Sequence, residues 1–284
     1  MSTRLSCLLG SAALALTTTA VAAQDAEDSL RVCASTDDAP YSTADQDGFE
    51  NRIAEVIAEE AGMTLELVMI DQPGIFLFRD GIDAGTCDVL MGIDENDDRL
   101  LVSEPYYRSG YAFVSREDRD FQGEKWEDVD QEGYETFAYR YYTPAETILK
   151  YTGRYEYNLV YQASLTNFTD RRNQYTQVPA RLVVSEVADG NADLGIIFAP
   201  DAGRYVRDSR TPLRMTLITN DIERSDGVII PLQFNQAVGV SKDRPELLET
   251  VQDALNSGQD RIEAILDEEG IPTLPLDKTD KDEK

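Results

Sequence analysis

Residues 87–99 read "CDVLMGIDENDDR". A short apolar run ends at Gly92 and gives way to acid with one arginine. A buried strand delivers a loop to a cleft in this way. Working back from it, residues 75–84 have helical apolar spacing, weakened by Gly81, and 65–70 read as a strand. Before them, 48–62 ("GFENRIAEVIAEEAG") place Phe49, Ile53, Val56 and Ile57 on one helix face, with acids opposite and Gly62 as the stop. Residues 30–34 ("LRVCA") are a first buried strand. The strand-helix-strand-helix-strand order predicts parallel strands joined by right-handed crossovers. Ligand groups then belong at the strands' C-terminal ends, where residues 35–41 and 92–99 fall.

Downstream, 110–115 read as a strand, and a tyrosine-crowded region follows. There Thr143-Pro144-Ala145-Glu146 has the pattern of a capping box and predicts a helix start after the short run 137–142. Residues 182–188 read as a helix, 194–198 ("LGIIF") and 235–241 as strands, and 244–256 and 261–269 as two helices. "ADGNADLGIIF" echoes "DAGTCDVLMGI", as two similar α/β halves would produce.

Composition narrows the function. Residues 1–23 carry one charge, Arg4, an apolar stretch and a small-residue site before Gln24, which predicts a cleaved secretory signal. Lys and Arg number 26 against 54 Asp and Glu. Nucleic acid and anionic membranes are therefore excluded as partners. The absence of histidine removes the commonest general base and transition-metal ligand, which argues against zinc sites and histidine-based catalysis. Carboxylates leave a hard-cation site open, but no catalytic residue, metal ligand or cofactor is assigned. Residues 277–284 have nothing to bury and are expected to be a disordered tail. Past the signal, Cys33 and Cys87 remain. An oxidising compartment favours a bridge. A simple parallel register opposes it, because Cys87 then lies level with Leu30, about 10 Å from Cys33.

The order "AGTCDVLMG", loop with arginine, "SEPYYRSGYAFVSR" resembles the periplasmic type II solute-binding proteins. The resemblance implies a two-lobed α/β fold, each lobe a mostly parallel sheet flanked by helices, joined by two crossover strands. Lobe 1 would be 24–114 plus 236–284 and lobe 2 115–235, with crossovers near 112–115 and 234–237. More narrowly, "LRVCA", "GFENRIAE", "AGTCDVLMG", "PYYRS" and "FVSR" resemble MxaJ and XoxJ, the J accessory proteins of bacterial methanol oxidation. This implies a periplasmic, non-enzymatic protein that assists maturation or activation of a PQQ-dependent methanol dehydrogenase of calcium or lanthanide type. The alternative is the receptor of an ABC importer for a small ligand. In amino-acid-binding relatives, the loop after the third strand offers hydroxyls and an arginine for the ligand carboxylate, and the second lobe an acid for its amino group. Arg99 matches the arginine, but Gly92 and Asp94 replace the hydroxyls, and Phe198 and Ala199 stand where the acid is expected. The candidate cleft or partner-binding residues are Ser35, Asp37, Asp94, Asp97, Arg99, Tyr106, Tyr107, Tyr141, Tyr142 and Thr143. The tyrosines offer apolar area with a polar tip for a segment of the immature dehydrogenase.

Overall fold

The computed structural model describes residues 29–166 and 177–276. The expected signal, 1–23, and tail, 277–284, lie outside the described residues. Strands are numbered along the chain, including the two-residue strands β2 (Asp37–Asp38), β3 (Ser42–Thr43), β6 (Leu101–Val102), β11 (Ile222–Glu223) and β12 (Ile229–Ile230). Strands β1 (Ser29–Ser35), β4 (Thr64–Ile70) and β5 (Val89–Asp94) run parallel in the order β4-β1-β5. Helix α1 (Phe49–Ala61) links the first two. It buries Phe49, Ile53, Val56 and Ile57, the face read from the sequence, and ends at Gly62 with φ of 67°.

Two long strands continue the sheet. β13 (Gln233–Val240) is antiparallel to β5 and to β7 (Tyr107–Arg116). Residues 107–110 of β7 pair with β13. From Tyr111 onward β7 pairs instead with β9 (Leu194–Phe198) and β10 (Leu213–Leu217). β9 pairs in parallel with β8 (Phe137–Tyr139). The buried apolar residues divide at the same place. Two clusters draw on residues 30–107 and 237–271, and two on residues 111–232.

Three local expectations need correction. Residues 75–84 form a 3-10 turn at Gly74–Phe76 and a π-helical turn at Phe78–Ile82 rather than one amphipathic α-helix. Gly81 is pressed against the cysteines, and a Cβ there would lie 2.6 Å from Cys87 Sγ. The widened turn brings the backbone to that contact. The two C-terminal helices are one, α6 (Glu246–Glu268). Gly258 does not break it but lies on the face packed against α1, where a Cβ would come 2.6 Å from Val56 Cγ1. The capping box is displaced. α2 (Pro144–Tyr151) does start after Thr143, but the Thr143 hydroxyl donates to the Arg140 carbonyl at 2.7 Å. The Glu146 carboxylate accepts the Tyr142 N–H at 2.9 Å. The sequence reading also passed over α3 (Tyr155–Ser164), α5 (Ala199–Arg207) and β10; the remaining described helix, α4 (Ala180–Ala188), matches its prediction closely.

Cys33 and Cys87 are bridged, with Cα atoms 5.3 Å apart. The expected register also holds, with Cys33 opposite Leu90. The two are compatible because β5 begins only at Val89. Cys87 lies in the turn that approaches the strand, where the extended rise per residue does not apply. The bridge closes a separation of 54 residues. Replacing both cysteines by alanine should lower stability by about 2–5 kcal/mol in thermal or denaturant melts. The wild type should lose a similar amount on reduction, and a melt indifferent to reductant would show the bridge to be without stabilising effect.

Candidate functional site

The site is built where the end of β1 faces the start of α5. Ser35, fully buried, organises the first side. Its hydroxyl donates to the Gln72 carbonyl at 2.6 Å and accepts the Asp37 N–H at 2.9 Å. Ser42 Oγ returns a bond to the Ser35 carbonyl at 2.7 Å. This tight turn carries Asp38 and Tyr41 inward, while Asp37 stays exposed. The Tyr41 ring leans on Phe49, with centroids 4.9 Å apart.

The second side comes from residues 111–232. Asp201, in the first turn of α5, is 7% exposed. A carboxylate is favoured there by the helix N-terminus. It accepts the Tyr41 hydroxyl at 2.7 Å on Oδ1 and Arg140 Nη1 at 2.7 Å on Oδ2. One carboxylate therefore ties the β1–α1 turn to the segment after β8 and to α5.

More acid is buried here than base. Asp38 is pushed up to about 6, first by burial and then by the charge of Asp201, with Arg140 pulling the other way. Glu50, in the first turn of α1, is pushed up to about 8 by burial and then by Asp38. Its Oε1 is enclosed and has no hydrogen-bond partner among the described residues. Burial works against charge on Arg140 too, but Asp201, Tyr41 and Asp38 outweigh it and raise its pKa. Backbone without side chains makes the room: a Cβ on Gly92, at φ of 61°, would lie 1.9 Å from Glu50 Oε1. A Cβ on Gly74 would lie 2.0 Å from Asp38 Oδ2.

The expected residues are distributed unevenly around this centre. Tyr106 and Tyr107, 2% and 3% exposed, belong to the core cluster with α1 and α6. Their hydroxyl pKa values are driven well up by burial and then by Glu50. Asp94, Asp97 and Arg99 form a self-contained surface loop. Asp94 Oδ1 accepts the Asn96 N–H at 2.8 Å. Arg99 forks onto Asp97 at 2.8 and 2.5 Å and lies 4.3 Å over the Phe78 ring. The hydrogen bond from Arg99 holds the Asp97 carboxyl below its ordinary range. The guanidinium that takes a ligand carboxylate in the amino-acid-binding relatives thus takes one of the chain's own. Tyr141 is half-buried, its hydroxyl donating to the Gln162 carbonyl at 3.0 Å. Tyr142 is 74% exposed at φ of 59°. Thr143 braces Arg140 through the bond already described.

Sequence reasoning missed Asp38, Tyr41, Glu50, Arg140 and Asp201. Asp201 lies only two residues past Ala199, the position at which an acid was sought. Glu50 was assigned to the solvent face of α1, but in the first turn that face meets the cleft. No group of acidic or cysteine side chains among the described residues has metal-binding geometry.

The profile of the bacterial extracellular solute-binding proteins, family 3, matches residues 30–266. The chain belongs to that family. Within this solute-binding family it stands with the MxaJ and MoxJ proteins. It is 67% identical to Protein MoxJ of Paracoccus denitrificans over 269 residues, 95% of this chain and 96% of that one. Its fold matches the crystal structure of MxaJ from Methlophaga aminisulfidivorans MPT with TM-score 0.80 and 39% identity, over 86% of this chain and 100% of that chain. The periplasmic binding protein XoxJ from Methylobacterium extorquens AM1 shares the fold at TM-score 0.61 and 24% identity, over 86% of this chain and 99% of that chain. No helix among the described residues is long and apolar enough to cross a membrane.

The raised Glu50 pKa has a stability consequence of definite sign. Below its ordinary 4.5 the group is protonated in both states and costs nothing. As pH rises towards about 8, the unfolded chain releases the proton while the fold retains it, so stability falls. Asp38 adds a fall between its ordinary 3.8 and about 6. Glu50→Gln should flatten the upper part of this decline, and melts across the pH series should show the variant gaining on wild type as pH rises. Parallel curves would remove Glu50 as its source.

Proposed function

We propose that this chain is a periplasmic accessory protein that assists maturation or activation of a PQQ-dependent methanol dehydrogenase, and that it acts by binding, without turning over a substrate. Its two halves are proposed as lobes, 24–114 plus 236–284 and 115–235, around a cleft. The observation that carries this reading is the internal use of the cleft's polar groups. Asp201 is taken by Tyr41 and Arg140. On the surface loop after β5, Arg99 is likewise taken by Asp97. A receptor for free solutes keeps such groups available for its ligand. The names of the relatives, MoxJ and MxaJ, support the association with methanol oxidation.

A protein partner also needs surface. Tyr142, Tyr157 and Val160 are 74%, 88% and 84% exposed. Large side chains with low entropic cost on binding suit a protein contact. Tyr141 and Thr143, on either side of Tyr142 in the chain, remain proposed contact residues.

In a strain lacking the gene, periplasmic dehydrogenase protein should be present in near-normal amount but with little PQQ-dependent methanol oxidation, and the gene in trans should restore activity. Full activity without the gene would end the accessory reading and favour the ABC-importer receptor.

A further inference from the structure

We infer that the outer face of α3, centred on Tyr157 and Val160, docks a protein surface in which Lys and Arg surround an apolar centre. The inference rests on the accessory reading above, with the dehydrogenase as the bearer of that surface. The helix packs with its polar side inward. Its buried residues are Asn158 and Gln162, four apart and therefore on one side. That side covers β8, the last strand of the sheet. Asn158 accepts the Phe137 N–H at 2.9 Å and donates to the Phe137 carbonyl at 2.7 Å, and Gln162 donates to the Tyr139 carbonyl at 2.6 Å. The two amides stand in for a neighbouring strand and close an edge otherwise open to pairing. At about 100° per residue, Val160 lies opposite them on the helix, with Tyr157 beside it. These two are 84% and 88% exposed.

Covering β8 explains the polar inner side of α3 but not an apolar outer one. A chain with 54 Asp and Glu has ample means to solvate a helix face, and here it does not use them. The apolar surface extends towards the end of α3. The Tyr141 hydroxyl reaches the Gln162 carbonyl at 3.0 Å, and the ring of exposed Tyr142 lies 6.2 Å from that of Tyr141. Charge selects the occupant. Both cations next to the face are already neutralised, Lys150 by Glu146 at 3.1 Å and Arg154 by Asp130 at 2.5 Å. Glu156 lies on the same outer side as Val160, is exposed and is in no ion pair among the described residues. The face therefore offers apolar side chains beside uncompensated acid, on a chain of formal net charge −28. A second copy brings the same charge and is repelled. A basic patch with an apolar centre is complementary in both respects.

The experiment puts three variants back into the strain lacking the gene: Tyr157→Gln with Val160→Gln, Glu156→Lys alone, and Val228→Gln with Ile229→Gln. The last pair is 49% and 52% exposed at the β11–β12 hairpin and serves as an apolar control. The control should restore methanol oxidation per dehydrogenase as wild type does, and the other two should restore clearly less. The probe in solution is the dehydrogenase purified from the same deletion strain. It should bind wild type less tightly as sodium chloride rises, and bind the Tyr157/Val160 variant at least about tenfold more weakly. The purified variant should melt within about 2 °C of wild type, because both side chains are exposed. A clearly lower melt would show that the chain itself covers the face and would overturn the inference. So would a wild-type dimer that this variant makes monomeric. Full restoration by the Tyr157/Val160 variant would remove the face while leaving the accessory reading intact, and full restoration by Glu156→Lys would refute a basic partner. Full activity with no gene at all would end the accessory reading, and this surface with it.

Discussion

The carboxylate of Asp201 is the contact on which the relation of the two halves turns. It is shared by a hydroxyl from the β1–α1 turn and a guanidinium from beyond β8. Each partner arrives through a local device. Ser35 and Ser42 tie the turn that presents Tyr41, and Thr143 ties the turn that presents Arg140. A buried carboxylate with two such bonds is well satisfied, and loss of either partner exposes it to a desolvation cost that surface ion pairs do not carry. A second set of contacts runs alongside. Arg204 of α5 forks onto buried Glu269 at 2.7 and 2.9 Å, and Arg52 of α1 reaches the same acid and Glu268.

The acid in the chain has two distinct physical fates. Most of it is solvated, where it costs little and keeps anionic polymers away. Asp38, Glu50 and Asp201 are instead drawn together at the centre, where burial favours the neutral form of Asp38 and Glu50. The fold permits this because Gly74 and Gly92 let carboxyl oxygens approach the backbone more closely than any Cβ would allow. In the loop after β5 the same residue types do something ordinary. Asp97 and Arg99 neutralise each other at the surface. The sequence resemblance to amino-acid receptors is therefore real in architecture, while the charges of the cleft are turned on one another.

Much of the fold was legible in the sequence because burial is periodic. The faces of α1 and of the strands β1, β4, β5 and β9 follow from apolar spacing, and their parallel order follows from the alternation of helix and strand. The cysteine pair was legible as chemistry but not as geometry, since the turn at Cys87 leaves the ladder that the spacing assumed. Gly81 and Gly258 read as weaknesses of helices. Each proved to be a place where another element comes too close for a side chain, and single-chain spacing holds no information about that neighbour.

By itself the sequence determined the α/β class, the acid excess, the lack of histidine chemistry and the motifs shared with the MxaJ and MoxJ proteins. Tertiary structure alone decided which acids matter. Asp94, Asp97 and Arg99 looked the most distinctive and settled on the surface, whereas Glu50 looked like a solvent-facing helix residue and is enclosed. Asp201 and Tyr41 are 160 positions apart, and no local pattern relates them. The physical reason is that a side chain's charge state and partner are set by what surrounds it in three dimensions, and in a two-part fold that surrounding comes from the other half.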